Sequence, residues 1–494
     1  MKNFKALILV LLTTLLLTGC FEDNDDTTIS ANEISDFVWK GMNYFYLYKD
    51  NIPDLANDRF SSNEEYANYL NEYAAPEDLF ESLIYQRQNV DRHSWIVNDY
   101  IALEQFFSGV STSNGMEFKI LLEPNTTSQL MAIVKLVLPN SDADNKGIKR
   151  GDIFNTVNGT ALTTANYSTL LSTDSYTINK ATYDDKGTPE TTDDVVISGS
   201  ESIPLNKLEY SENPIYKTEI FNIGGNNIGY LMYNGFTANY DSQLNDVFAN
   251  FKANSIKDLI LDLRYNPGGA VNSAILLSSM ITGQFNGEVF STEQWNSEFQ
   301  TYFENENPEL VINRFTNNDN GTALNSLNLP KVYVLATKSS ASASELLINS
   351  LDPYIDVIHI GDFTYGKYQA SRTLYDSNNF GRDGANPNHA YAMQPLILKS
   401  LNKVGNTDYD NGLTPDIELK ENYLNLGVLG DANETLVAAA IAHIENSGKL
   451  INIQSRPRIN FKLINDSNSF IPLNYDMHVG KDIPEDIINK MLFK

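Results

Sequence analysis

The chain has a single cysteine among its 494 residues, so no disulfide can form within it and packing must stabilise its domains. Basic residues are also scarce, because 35 Lys and Arg stand against 63 Asp and Glu, giving a net charge of −28. This balance argues against nucleic acid as a partner, since phosphate contacts need Lys and Arg. The five histidines form no paired metal motif, and we expect neither a metal ion nor another cofactor.

Long apolar runs are scarce as well, and the most prominent one begins the chain at residues 6–17. It follows Lys2 and Lys5, is too short to span a bilayer comfortably, and leads to the sequence LTGC, which ends at Cys20. This order is typical of a secretory signal, and LTGC resembles a bacterial lipobox. We therefore expect residues 1–19 to be a lipoprotein signal peptide and Cys20 to carry a lipid that anchors the protein to a membrane.

The segment after the cysteine, residues 20–30, contains four acids between positions 21 and 26. Such a composition cannot bury itself, so we predict a solvated acidic tether. The tether resembles the acidic signal that sends some bacterial lipoproteins to the cell surface, and a plain linker explains it equally well. The expected location is the outer membrane of the cell envelope, facing either the periplasm or the exterior.

Changes of pattern divide the rest of the chain. Residues 31–104 show apolar positions at helical spacing, with a capping box at residues 62–65, and predict a helical N-terminal domain. Residues 105–205 contain short β runs. Residues 206–450 alternate strand-like and helix-like segments, which indicates an α/β core. Residues 451–494 match no pattern, and an extra strand pair, an interface and a lid are all open.

The β segment ends in a pattern at residues 148–159 that resembles the end of a PDZ domain. PDZ-like domains add an extended peptide to a sheet edge and bind its carboxylate on the N–H groups of a glycine loop. The matching loop consists of Gly115, Met116, Glu117 and Phe118. Glu117 departs from the apolar pattern and would repel a carboxylate if it points inward. A PDZ fold that binds no terminal carboxylate is the alternative.

Three serines, Ser340, Ser342 and Ser344, alternate with alanines between a predicted strand and a predicted helix. At such a turn the free N–H groups and the positive end of the helix dipole can stabilise an oxyanion. Lys367 follows in the sequence TYGK. A serine hydroxyl needs a base to become a good nucleophile, and lysine is a base only when neutral, so we predict that Lys367 is buried.

Four motifs occur in the order seen in the carboxyl-terminal processing peptidases, also called tail-specific proteases. They are LDLRYNPGG at residues 261–269, SASASE at 340–345, TYGK at 364–367 and GLTPD at 412–416. With the PDZ-like segment, the resemblance spans about residues 105–445. It implies a multidomain α+β fold with a helical N-terminal domain, a PDZ-like β domain and an α/β serine-protease core of the ClpP/crotonase-like type.

The resemblance also implies a Ser-Lys dyad, in which Ser342 is the nucleophile and Lys367 is the general base. It further implies an oxyanion hole formed by the N–H of Ala343 and that of Gly268 or Gly269.

The residue that orients the lysine is open. Many relatives have a glutamine four residues after the lysine, a position held here by Ser371, while Gln369 lies two residues after it. In an extended strand both residues face the same side as Lys367, so either could orient the amine.

The predicted function is a serine endopeptidase that cleaves unstructured or C-terminal segments of extracytoplasmic polypeptides. A catalytically silent peptide-binding or scaffold lipoprotein on the same fold is the first alternative. A ligand carrier is the second, because the fold is similar to that of the retinoid-binding repeats of interphotoreceptor protein. His359 is predicted to be a packed histidine of a buried strand rather than a triad base.

Overall fold

The computed structural model describes residues 31–446, 461–471 and 476–480, together with residue 488. The predicted signal peptide, the lipidation site Cys20 and the acidic tether lie outside these residues, as does part of the 451–494 extension. Among the helices of the described residues, none is both long enough and apolar enough to cross a membrane.

The N-terminal part is helical, as predicted. Its elements are α1 (Ala31–Phe45), α2 (Asn63–Leu70), α3 (Pro76–Ser82), β1 (Trp95–Val97) and α4 (Tyr100–Phe107). The predicted cap begins α2, since the side chain of Ser62 accepts a hydrogen bond of 3.1 Å from the N–H of Glu65. Buried residues of α1, including Phe37 and Met42, belong to the same hydrophobic core as the central sheet described below.

An antiparallel β domain follows. Its elements are β2 (Val110–Ser113), β3 (Met116–Leu122), β4 (Leu130–Val137), α5 (Asp142–Asn145), β5 (Ile153–Val157), β6 (Thr160–Ala161), α6 (Tyr167–Ser172), β7 (Ser175–Asp184), β8 (Val195–Asn206) and β9 (Leu208–Ser211). The acid-rich segment between β7 and β8 is a hairpin tip. β2 pairs with β9, so that this ribbon connects the domain to the rest of the chain.

The core follows and contains a central six-stranded sheet together with smaller sheets and helices. In chain order, the first elements of the core are β10 (Ile215–Ile223), β11 (Asn226–Tyr233), α7 (Asp241–Ala253), β12 (Asp258–Asp262), β13 (Gly269–Ala270), α8 (Val271–Thr282), β14 (Val289–Trp295), α9 (Ser297–Glu306), β15 (Ile312–Arg314), β16 (Asn318–Asp319) and β17 (Thr322–Ala323). The remaining elements are β18 (Lys331–Ala336), α10 (Ala343–Leu351), β19 (Asp356–Gly361), β20 (Gln369–Ser371), β21 (Leu374–Tyr375), β22 (Ala392–Gln394), β23 (Leu396–Asn402), β24 (Ile417–Glu418) and α11 (Thr435–Glu445).

Parallel pairing in this sheet determines where the site lies. The strand order is β10-β11-β12-β18-β19-β24, and all neighbours from β11 onward are parallel. Apolar residues pack on both faces of the sheet, with α8 and α10 on one face and α11 on the other. Consequently β12, β18 and β19 all end at one edge, where open α/β sheets bind their ligands.

The C-terminal extension contributes two strands, β25 (Leu463–Asp466) and β26 (Met477–His478). They do not pair with each other, so the possibility of an extra strand pair does not hold for the described residues. β25 lies antiparallel to β3 at the edge of the β domain, whereas β26 lies parallel to β13 and β20 in a second sheet of the core.

Candidate active site

Three loops meet at the carboxyl edge of the central sheet, and each carries one of the sequence motifs. Residues 263–268 follow β12 and lead to Gly268 and Gly269, and they are called the glycine loop below. Residues 337–342 follow β18 and form the serine loop, and residues 362–368 follow β19 and form the lysine loop. The hydroxyl of Ser340 donates to the carbonyl of Leu263 at 2.7 Å, which joins the first two loops. The N–H of Tyr365 donates to the carbonyl of Ser340 at 2.9 Å, which joins the third loop to the second.

Ser342 is the last residue before α10 and is completely buried. Its backbone has φ +59° and ψ −113°, a region that non-glycine residues rarely adopt and that persists only when the surroundings enforce it. Helix α10 begins at Ala343, whose N–H belongs to the first turn and has no acceptor within the helix. This placement is the one that the sequence analysis assigned to a nucleophile beside an oxyanion donor.

The two flanking serines have structural hydrogen bonds. The hydroxyl of Ser340 also accepts from the N–H of Thr337 at 2.9 Å, in addition to its bond to Leu263. The hydroxyl of Ser344 donates to the carbonyl of Asn266 at 3.1 Å. Both side chains therefore tie the serine loop to its neighbours, while Ser342 lies between them at the helix start.

Gly268 and Gly269 lie beside the serine, in backbone conformations that favour glycine, with φ +119° and +131°. A Cβ on Gly268 would lie 2.6 Å from the Cβ of Ser342, and one on Gly269 would lie 2.3 Å from the carbonyl oxygen of Phe236. The N–H of Gly268 donates to Asn266 Oδ1 at 2.9 Å, within its own loop. The N–H of Gly269 instead donates to the carbonyl of Asp476 at 2.7 Å. Of the two predicted oxyanion donors, Gly269 is therefore the one whose N–H has an acceptor outside the loop.

Lys367 is 1% exposed, as predicted for a lysine that must lose its proton. Burial lowers the pKa of Lys367, and the carboxylate of Asp476, with Oδ1 3.5 Å from Nζ, opposes that shift. Lys367 and His478 in turn lower the pKa of Asp476 to about 2, although burial acts in the other direction. Asp476 is thus ionised at neutral pH, directly beside the predicted base.

The two candidates for orienting the lysine have different partners. The side-chain amide of Gln369 donates to the hydroxyl of Tyr48 at 3.1 Å, in the segment after α1. The hydroxyl of Ser371 donates to Asp476 Oδ1 at 2.8 Å, the same oxygen that lies near Lys367 Nζ. Ser371 is therefore connected to the lysine through a carboxylate that the sequence analysis did not consider.

Glu345 is a second residue whose role the sequence analysis missed. Its buried carboxylate accepts from the N–H of Ser342 (2.8 Å), Gly366 (2.7 Å) and Lys367 (2.9 Å) and from the hydroxyl of Thr364 (2.5 Å). One side chain thus fixes the serine loop and the lysine loop relative to each other. The available signal was a glutamate three residues after a serine at a helix start, which is the spacing of a capping box.

We expect Glu345→Gln to lower kcat by about 10²-fold. Both carboxylate oxygens of Glu345 accept hydrogen bonds from the two loops, and an amide replaces one of these oxygens with an N–H₂ group that cannot accept, so the loops lose their fixed spacing. Burial raises the pKa of Glu345 to about 7, so its carboxylate form costs stability as the pH rises from the unfolded-state value through 7. The glutamine variant should lose this pH dependence of unfolding. Urea denaturation at pH 5 and pH 8, alongside turnover measurements, checks both expectations, and an unchanged kcat would contradict the first.

The glycine loop is anchored by a buried ion cluster at the end of β12. The guanidinium of Arg264, which is fully buried, donates to Asp262 at 2.9 Å and to both carboxylate oxygens of Glu434 at 2.8 and 2.9 Å. Glu434 also caps α11 by accepting from the N–H groups of Leu436 and Val437. The cluster therefore connects the central sheet, the helix below it and the start of the glycine loop.

Arg264→Met should destabilise the fold by about 3–5 kcal/mol, since it leaves two buried carboxylates without their cation. The matched control is Arg314→Met, which breaks a pair with Glu309 whose members are 38% and 63% exposed and should cost less than about 1 kcal/mol. Chemical denaturation of both variants measures the difference, and equal midpoints would contradict the assignment of the cluster as an anchor.

The predicted peptide-carboxylate loop has partners within the chain. The N–H of Gly115 donates to Ser113 Oγ at 2.9 Å, and that of Met116 to Asn114 Oδ1 at 3.1 Å. The N–H of Phe118 donates to Ser467 Oγ at 3.0 Å. The side chain of Glu117 lies 3.1 Å from Lys135 Nζ, so its charge is paired with a lysine of β4. The loop at residues 115–118 borders a cavity of about 460 Å³, and the glycine loop after β12 borders a neighbouring cavity of about 140 Å³. Glu117 lines both cavities.

Two histidines complete the picture of the site. His359 is buried on β19, as predicted from the apolar strand around it. His93 was not anticipated: it is half-buried, its enclosed Nε2 has no hydrogen-bond partner among the described residues, and its ring lies 5.7 Å from that of Tyr365. Burial, assisted by the charge of Lys367, lowers the pKa of His93 well below its usual range. His93 is therefore neutral beside the lysine loop.

The sequence matches two family models, Peptidase family S41 over residues 227–419 and Peptidase S41 N-terminal domain over residues 33–95. It is 26% identical over 208 residues to a protein of Staphylococcus epidermidis named as a CtpA-like serine protease, a match that covers 42% of this chain and 36% of that protein. It is 24% identical over 231 residues to the carboxy-terminal processing protease CtpB of Bacillus subtilis, covering 46% of this chain and 40% of CtpB. The chain thus spans less than half the length of these curated relatives.

The fold is similar to the crystal structure of an S41 protease from Bacteroides fragilis. The TM-score is 0.62 at 22% sequence identity, and the alignment covers 84% of this chain and 98% of that one. At this identity the likeness shows that the two chains share a fold.

Proposed function

Because the chain belongs to peptidase family S41, the C-terminal processing peptidases, we propose that it is a serine endopeptidase with a Ser342-Lys367 dyad. The observation that carries the proposal is the shared carboxylate of Glu345. It accepts hydrogen bonds from the backbone N–H groups of both Ser342 and Lys367 and so holds a buried serine and a buried lysine in one rigid unit. A buried lysine held next to a serine at a helix start is the arrangement that a serine-lysine dyad requires.

The chemistry follows from the placement of these groups. Neutral Lys367 takes the proton of the Ser342 hydroxyl while Oγ attacks the peptide carbonyl. The N–H groups of Ala343 and Gly269 bind the resulting oxyanion, and each such donor is worth about 10²- to 10³-fold in rate. Lys367 then gives its proton to the leaving amine, which separates as a new N-terminus. The same lysine then takes a proton from water, which attacks the acyl-enzyme. As the bond from Oγ to the acyl carbon breaks and the new carboxylate is released, the lysine returns its proton to Ser342 Oγ.

The proposal extends to the domains around the dyad. The antiparallel domain between β2 and β9 is proposed to be PDZ-like, because its β3 edge already accepts an added strand, the mode by which PDZ domains bind peptides. The core is proposed to be of the ClpP/crotonase-like type. Lipidation at Cys20 would tether the enzyme to the outer membrane, and its substrates would be unstructured or C-terminal segments of extracytoplasmic polypeptides.

A mixture of unfolded proteins, incubated with the pure protein and read by mass spectrometry for new termini, tests the proposal. We expect internal cleavage that the Ser342→Ala variant does not produce. Identical peptide patterns with both proteins, or none with either, would favour the scaffold alternative, in which the fold binds peptides without cutting them.

A further inference from the structure

The edge strand of the β domain is occupied by the chain's own C-terminal region. β25 runs antiparallel to β3, and Asp466 lies opposite Lys119 in the register. The N–H of Leu122 donates to the carbonyl of Lys462 at 3.0 Å, at the far end of the pairing. This is strand addition, the geometry in which a PDZ-like domain binds a peptide, except that the peptide belongs to the same chain.

The carboxylate of Asp466 lies in a pocket of two buried ammonium groups. Lys135 Nζ donates to its two oxygens at 2.9 and 3.1 Å, and Lys119 Nζ forms a close ion pair with it. The exposed fractions of the lysines are 0% for Lys135 and 5% for Lys119. Although burial opposes the shift, the two lysines hold the pKa of Asp466 well below its usual range.

The pocket also contacts the serine loop. The hydroxyl of Ser339, three residues before Ser342, accepts from Lys119 Nζ at 2.8 Å and donates to Asp466 Oδ2 at 3.2 Å. An acidic side chain bound here therefore touches the loop that carries the nucleophile. Glu117 lies 3.1 Å from Lys135 Nζ and balances one of the two positive charges, so a second anion, here Asp466, is needed to balance the other.

Farther along the chain, the segment around Asp476 lies at the catalytic centre. Its carbonyl accepts from the N–H of Gly269, the predicted oxyanion donor. A Cβ on Gly268 would lie 2.4 Å from this carbonyl oxygen and 2.6 Å from the Cβ of Ser342, which places the two atoms at most about 5 Å apart. The side chain of Asp476 lies 3.5 Å from Lys367 Nζ. The carbonyl of Asp476 therefore occupies the N–H that a substrate oxyanion would need. The carboxylate of Asp476 lies where it opposes the neutral form of Lys367.

We propose that Lys119, Lys135 and Ser339 form a binding pocket for an acidic side chain of an extended peptide, and that residues 461–471 and 476–480 of this chain occupy that pocket and the catalytic centre in place of substrate. The second half rests on the proposed function, because it assigns Gly269 and Lys367 to catalysis. A carbonyl on Gly269 blocks one oxyanion donor, and a carboxylate beside Lys367 favours the ammonium form, which cannot act as a base. Substrates that displace the segment carry an aspartate or glutamate for the same lysines.

Peptide binding tests the pocket without using catalysis. The probe is a fluorescent peptide with the sequence of residues 461–471, FKLINDSNSFI, added to full-length Ser342→Ala protein. In the Ser342→Ala, Asp466→Asn double variant the internal strand loses its anchor, so we expect the probe to bind at least about tenfold tighter than to Ser342→Ala alone. A control peptide with asparagine in place of the aspartate should bind the double variant at least about tenfold weaker than the probe. Equal binding of the probe to both proteins, or of both peptides to the double variant, would overturn the proposal.

A second variant leaves Asp466 in place, so it controls for misfolding that Asp466→Asn could cause by removing the carboxylate partner of Lys119. Leu463→Pro changes a side chain that is 45% exposed and weakens the pairing of β25 with β3 without entering the pocket. It should increase probe affinity in the same direction, and an unchanged affinity counts against an exchangeable strand.

The occupation of the catalytic centre is tested by activity. Asp476→Asn, in a chain with Ser342 intact, should raise kcat/KM about tenfold at pH values below the pKa of Lys367 and move the acidic limb of the pH profile down by about one unit. A fall in kcat/KM would show that Asp476 assists the lysine and would overturn the inhibitory assignment. If no variant cleaves any substrate, the proposed function fails, while the binding experiment with Ser342→Ala protein still decides the pocket.

Discussion

Replacing Ser342 with alanine should abolish peptide cleavage, with a loss of at least about 10⁴-fold in kcat. The variant keeps the oxyanion donors and the peptide-binding surfaces, but it has no atom that can form the acyl-enzyme. Alanine removes one buried hydroxyl and leaves the apolar packing around the site unchanged, so the midpoint of the cooperative unfolding transition should stay nearly the same. Cleavage of an unfolded reporter, followed over hours by mass spectrometry, has the range needed to detect the residual rate.

The repeated serines supply the matched controls. Ser340→Ala and Ser344→Ala remove hydroxyls of the same size from positions two residues away, where each donates to a loop carbonyl. We expect both variants to lose about 1–3 kcal/mol of stability and to retain Ser342-dependent turnover. Loss of all cleavage in Ser340→Ala or Ser344→Ala, with cleavage retained in Ser342→Ala, would reassign the nucleophile.

Local pattern was enough to predict the elements that carry the site. The apolar run at residues 271–282 forms α8, and the apolar stretch before the serines forms β18. These segments are long, apolar and bounded by glycine or turn residues, so their neighbours in sequence determine their structure. The sequence also predicted a strand before the serine motif, and the structure adds that the strands before the glycines, the serine and the lysine are parallel and share one edge.

Contacts between distant segments could not be predicted in the same way. Asp466 and Lys135 are 331 residues apart, and neither strand pairing nor charge pairing over such a distance leaves a local pattern. The alternation of side chains predicted Gln369 and Ser371 on the side of Lys367, but it could not show the carboxylate of Asp476 that contacts both Ser371 and Lys367. β20 itself begins only at Gln369, and its register with β23 shifts between Ala370 and Ser371. Ser371 thus has partners from two distant segments, Gln394 of β22 and Asp476 of the C-terminal region.

Lys367→Met should reduce kcat by about 10²- to 10⁴-fold, the usual contribution of a general base, while the protein stays folded. Methionine fills nearly the same volume, and Asp476, which loses the ammonium of Lys367, still has His478 Nδ1 at 2.9 Å. Lys367→Arg is the informative companion, because a guanidinium stays protonated at every accessible pH and cannot accept the serine proton. Both variants should therefore be inactive, although only arginine keeps the positive charge beside Asp476. Activity in the arginine variant would show that the charge of Lys367, and not its basicity, matters.

The pH dependence of the wild-type enzyme shows directly whether Lys367 acts as a base or through its positive charge. Burial lowers the pKa of Lys367, so the fraction of neutral amine grows tenfold per pH unit until the pH passes that pKa and is constant above it. The kcat/KM profile should therefore rise with pH along an acidic limb and reach a plateau below the pKa of an ordinary lysine. Stability has the same sign, because the unfolded chain binds more protons than the folded one between the two pKa values, so the free energy of unfolding rises with pH in that window. Lys367→Met should remove this rise in stability, and a profile that falls with increasing pH would contradict a lysine base.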